Sequence, residues 1–144
     1  MSAAIIAVLG TLAGAILTGT LAHLTQLSQR AATEAATRRT EAPDAVAALA
    51  DHRRAMWLRE DLRLRGEHWT TARATSHITR AAITAPLLRL SILAPALASA
   101  AQTATTATYA LRHAPDNTIL QAAHEHAIRT TDTFVATAGT ILAA

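Results

Sequence analysis

The first 29 residues, Met1 to Gln29, contain no Asp, Glu, Lys or Arg, whereas the following 115 hold all 13 arginines and all 10 acids. Within them the uncharged run from Ala3 to Leu24 is 22 residues long, and about 20 predominantly apolar residues cross a hydrocarbon core as a helix. The partition predicts a single transmembrane anchor over 1–29, a juxtamembrane linker or helix continuation over 30–43, and a cytoplasmic helical bundle over 44–144. Two other readings share the run. A cleaved secretory signal wants a basic start, which Met1-Ser2-Ala3-Ala4 lacks; a buried core helix suits the many Ala, Gly and Thr.

Arg30, Arg38 and Arg39 follow the run and nothing basic precedes it. Basic residues beside a span stay on the cytoplasmic side, so the expected location is the cytoplasmic membrane, N-terminus outside, with the C-terminal domain in the cytoplasm. Gly10, Gly14, Thr18 and Ala22 form a row of small residues at i+4 spacing. Such rows let helix backbones approach closely in lipid. They are the candidate helix-association residues, and a homo-oligomer is expected.

The remainder is long enough for one domain with a modest core. With no cysteine, disulfides and thiolate metal sites are excluded. Four aromatic residues and few β-branched runs leave a weak strand signal, while Ala, Leu, Arg and Glu dominate the periodic segments. The fold class is therefore all-α: a single transmembrane helix, then an antiparallel three-helix bundle. Its first helix covers about 44–65, interrupted near Pro43 and stopped by Gly66. Its middle helix covers 68–113, kinked or split at Pro86 and Pro95. A third helix is capped by Asp116 or Asn117.

Charge is spread: five arginines face four acids over 51–67, and five face three from His68 onward. No stretch reads as a nucleic-acid surface, so direct nucleic-acid binding is not expected. His124 and His126 sit at i, i+2 on a helix and point to different sides, so no metal site is assigned. Three of the five glycines lie within 1–29, which leaves no glycine-rich nucleotide loop. No catalytic constellation or cofactor motif is present, and a non-enzymatic role is expected. The segment from Asp51 to Arg65 is the densest in chemistry; it reads either as a salt-bridged, solvated helix face or as a partner-docking face formed by Arg53, Arg54, Trp57, Arg59 and Arg63. From Ala81 to Leu111 the only charge is Arg89, which suits a central bundle helix or a lipid-contacting segment.

The blocks AVLGTLAGA near the start, ADHRRAMWLREDLRLRG, and TRAAITAPLLRL with ILAPALASAA and TYALRHAPD resemble the KilB-type plasmid spread proteins of filamentous actinobacteria. The resemblance covers nearly the whole chain and agrees with its lysine-free composition. It implies a small membrane-associated protein of a conjugative plasmid that helps DNA spread between mycelial compartments, with a DNA-translocating ATPase and other proteins of the spread apparatus as partners. The function expected is a self-associating, membrane-anchored helical scaffold. The alternatives are a membrane-permeabilising, holin-like toxin and a soluble self-assembling helical subunit.

Overall fold

A computed structural model of the chain describes residues Ser2–Ala143, with side chains from Thr25 onward except that of Arg38. These residues form α1 (Ser2–Leu64), α2 (Thr70–Leu93), a 3-10 turn (Pro95–Leu97), α3 (Ala98–Tyr109) and α4 (Asn117–Ala143), with no strand among them. Two compact units, Met1–Ala36 and Thr37–Ala144, divide the chain. In the first, helical hydroxyls are satisfied by their own turn: Ser28 Oγ donates to the Thr25 carbonyl at 2.8 Å and Thr33 Oγ1 to the Gln29 carbonyl at 2.9 Å.

No helix among the described residues is long and apolar enough to cross a membrane, which overturns the expected single transmembrane span. From Thr25 onward α1 carries Arg30, Glu34, Arg39, Glu41 and Asp44, and charges at this density hold mean hydropathy below that of a span. In α2 the polar Thr, Ser and His residues act with Arg80 and Arg89 to the same effect. The side chains of residues 1–24, on which both the span and the row Gly10, Gly14, Thr18, Ala22 were read, lie outside the described residues. The outside-to-inside topology was read from that same span.

The second unit corrects the expected three-helix bundle to four helices, because the two internal prolines behave differently. Pro86 is held inside α2. Ahead of Pro95, Ala94 leaves the helical region, at φ −139° and ψ 66°, as the clash of a proline ring with the preceding residue favours. The Ala94 N–H still donates to the Leu90 carbonyl at 2.8 Å, closing α2 before the chain restarts. Pro43, where an interruption was expected, lies inside the continuous α1.

Cross-helix contacts set the directions. Glu41 pairs with Arg89, His52 with Thr79, and Arg59 with Ser76, so α1 and α2 are antiparallel. Arg53 meets Thr131 and Trp57 meets His124, so α4 also opposes α1. Tyr109 stands edge-on to His52, and Arg63 reaches the Ala114 carbonyl, which makes α3 parallel to α1. The unit is an up-down-up-down four-helix bundle.

Local chemistry explains its ends. Gly66 takes φ +71°, and its N–H donates to the Arg63 carbonyl while that of Glu67 donates to the Leu62 carbonyl; this paired closure needs a left-handed residue and stops α1 where glycine stands. Asp116 Oδ1 accepts the Ile119 N–H at 2.8 Å, capping α4 as its position predicts.

Eleven of the nineteen buried apolar residues among those described are alanine, so the few large side chains carry most of the buried area. Phe134, Leu49, Ile83, Leu90 and Leu97 centre one cluster, and Met56, Leu111 and Leu120 a second toward the α1–α2 turn. Threonine enters the core by bonding backward: buried Thr105, Thr108 and Thr131 donate to the carbonyls of Ala101, Ala104 and Ala127 at 2.7–2.8 Å. Phe134→Ala is expected to cost about 3–5 kcal/mol in urea unfolding, whereas Val135→Ala, beside it and exposed, stays within about 0.5 kcal/mol.

Candidate functional site

Glu60 is fully buried and lies in α1 between Arg59 and Arg63. Its Oε2 accepts from Arg63 Nε at 2.6 Å. Its Oε1 lies 3.4 Å from Arg59 Nε, close enough for charge attraction but without hydrogen-bond geometry, so both atoms lack a hydrogen-bond partner. Arg63 continues to the Ala114 carbonyl at 2.5 Å, tying α1 to the segment ahead of α4. Arg59, only 7 % exposed, crosses to α2, where its Nη1 has Ser76 Oγ at 3.5 Å, and has Met56 Sδ of its own helix at 3.8 Å. Its guanidinium lies 5.7 Å from the centre of the Trp69 ring, as does that of Arg73. Burial draws Arg59 below the ordinary arginine value and the charge of Glu60 opposes this; Arg112, Arg73 and Arg63 add to the lowering.

The far side of Arg59 opens on a cavity of about 290 Å³ between α1, α2 and the end of α3. His52, Met56 and Arg59 reach it from one face of α1, Ser76 and Arg80 from α2, and Tyr109 and Arg112 from the end of α3. The Arg80 guanidinium lies 3.5 Å over the Tyr109 ring centre, and the His52 ring meets that tyrosine edge-on at 5.6 Å. Thr79 Oγ1, which has the Thr75 carbonyl at 3.1 Å, forms a hydrogen bond with His52 Nδ1 at 3.0 Å. Burial pushes the His52 ring down to about 4, with the charges of Arg80 and Arg59 adding to the effect. The ring is therefore neutral at pH 7.

The five residues of the expected docking face separate. Arg59 and Arg63 turn inward to Glu60, and Arg53 Nη1 has Thr131 Oγ1 at 3.4 Å. Arg54 is exposed, with Asp51 as its partner at 3.3 Å. Half-buried Trp57 tilts against His124 at 5.9 Å between ring centres, and together with Arg53, Arg54 and Gln121 these two line a groove of about 350 Å³. Burial lowers His124, with Arg53 adding to it and Glu125 opposing. Among the described residues no group of three or more His, Cys, Asp or Glu is placed to hold a metal ion.

Residues that the sequence did not single out are His52, Arg80, Tyr109 and Arg112. One signal was present, because His52, Met56 and Arg59 recur at i, i+4 and i+7 on one helical face. That this face meets Arg80 and Arg112 follows from the bundle alone. The α2 surface carries a second unforeseen feature: Ile78, Ala81, Ala85, Leu88 and Ile92 are all exposed and alternate at three- and four-residue intervals, as the seam of a coiled coil does.

The family model described as KilB plasmid transfer protein matches residues 42–142. The protein KilB of Streptomyces lividans is 51% identical over 145 residues, which cover 96% of this chain and 96% of the relative. No solved structure matches.

Glu60→Ala leaves the buried Arg59 without its ion partner and is expected to cost about 3–5 kcal/mol in urea unfolding, while Arg54→Ala at the exposed pair stays within about 1 kcal/mol. A second expectation concerns pH. Since the folded His52 value, about 4, lies below the unfolded 6.5, its contribution is fully present above 6.5 and is lost as pH falls toward 4. Between pH 7.5 and 5 this amounts to about 2 kcal/mol, read as the difference between wild type and His52→Gln in urea melts at the two pH values.

Proposed function

We propose that the chain, which belongs to the family of KilB plasmid transfer proteins, acts in plasmid spread as a non-enzymatic, self-associating helical scaffold. The observation that carries the self-association is the outward row on α2. Ile78, Leu88 and Ile92 are 70%, 59% and 68% exposed, although the same helix turns Ile83 and Leu90 into the core. Burying one such side chain fully is worth about 1.5–3 kcal/mol, and the 3-4 spacing suits pairing with another helix, for which a second copy supplies an identical row.

Docking of other proteins of the spread apparatus, a DNA-translocating ATPase among them, is assigned to the groove of Arg53, Arg54, Trp57 and His124. An aromatic wall beside an exposed guanidinium is the composition that anchors protein interfaces. Residues 44–144 are placed on the cytoplasmic side by this reading, because that is where an ATPase partner works.

Light scattering after size exclusion tests the first part: wild type runs as an oligomer, and Leu88→Glu with Ile92→Glu reduces it to a monomer with an unchanged helical circular dichroism signal. A monomeric wild type would sink self-association. For docking, an Arg54→Glu, Trp57→Ala variant at wild-type protein level is expected to lower spread between mycelial compartments at least tenfold; full spread would remove the groove from the mechanism.

A further inference from the structure

Three cationic side chains converge on the cleft between α1, α2 and the end of α3, and its lining contains no carboxylate. Arg80 and Arg112 have no carboxylate within ion-pair distance among the described residues. Arg59 spends Glu60 on its Nε side, and its Nη1 is left with a long contact to a hydroxyl and one to sulfur. A guanidinium more than nine-tenths buried and so weakly met is under-satisfied. Arrays of like charge repel, and this one is held by a half-buried aromatic frame: Tyr109 supports Arg80 from below, and Trp69 lies beside Arg59. His52 in the cavity wall is kept neutral by burial, with the charges of Arg80 and Arg59 adding to the effect.

We propose that this cleft binds a phosphate group, carried by a small molecule. The planar forks of three arginines match a tetrahedral oxyanion, each able to donate two parallel hydrogen bonds. A dianion gains from an array in which two of the three arginines, Arg80 and Arg112, meet no acid among the described residues. Ser76, whose hydroxyl donates to the Arg73 carbonyl at 2.7 Å, and the neutral His52 ring complete the polar wall. The volume, about 290 Å³, exceeds the needs of a lone phosphate and leaves room for an ester group. The inference stands apart from the docking groove and the α2 row, sharing no residue with either.

The test follows the His52 ring protons by NMR at constant ionic strength, with inorganic phosphate and a nucleoside monophosphate as the two probes. Saturable shifts are expected, with the His52 pKa rising as the anion offsets Arg80 and Arg59. Equal binding of the two probes assigns the site to free phosphate, and tighter binding of the nucleotide assigns it to the ester. Arg80→Gln with Arg112→Gln, both exposed, is expected to weaken binding by about tenfold or more. Arg30→Gln with Arg129→Gln, both exposed, removes the same charge elsewhere and is expected to leave it unchanged. Unsaturable shifts with both probes, or equal weakening by the two double variants, would overturn the site. An oligonucleotide lacking terminal phosphates that competes as well as either probe would overturn the small-molecule assignment in favour of a nucleic-acid strand.

Discussion

The carboxylate of Glu60 has been taken out of water in the middle of α1, and half of the bundle is arranged to make that tolerable. Removing an ion from water costs several kcal/mol even after relaxation, so the group needs opposite charge at contact distance. Its own helix provides that charge one residue before and three residues after. Those two arginines then have donors to spare, and they send them in different directions. Arg63 reaches the Ala114 carbonyl and so fixes where the chain turns into α4, while Arg59 reaches across to Ser76 and fixes the register of α2. A rotation of α1 about its axis would strand the carboxylate and both guanidinium groups together.

One acid cannot neutralise what surrounds it. Arg59 is shared between Glu60 and a cleft that Arg80 and Arg112 also enter, and the net result is a pocket of positive charge walled by the Tyr109 ring and a neutral histidine. Both features come from one requirement, since Arg59 must be buried to meet Glu60 and, once buried, displays its remaining donors between α2 and the end of α3. The ion pair that organises the fold therefore also creates the cleft assigned to a phosphate group.

Alanine and threonine set the economy of the rest. Small side chains let four helices pack closely, and backward-bonded hydroxyls let threonine sit at core positions, but the area removed from water per residue is low. Large apolar residues are few, and three of them on α2 are left facing outward. In a small family member with so modest a core, an exposed row of this kind is where association with another copy contributes most to both stability and assembly.

Helical class, the stop at Gly66 and the cap at Asp116 were legible in the sequence, because each depends on residues within a few positions of one another: a glycine that accepts φ +71°, a carboxylate three residues from the N–H it caps. Family membership was legible for a similar reason, being carried by contiguous strings. Pro86 and Pro95 looked alike in the sequence, yet one is absorbed in α2 and the other follows Ala94, which leaves the helical region, and ends it. The uncharged run at the start suggested a span, whereas no helix among the described residues has the length and apolarity to cross a membrane. Arg59 and Arg63 looked like surface residues, since periodicity places a side chain on a face without saying what covers it. The sequence alone thus determined the helical class, the stop at Gly66, the cap at Asp116 and the family. Tertiary packing alone decided which arginines are buried with Glu60 and which meet across the cleft, because convergence of residues 21 and 53 positions apart from Arg59 in the chain is a property of how helices lie together and leaves no local trace.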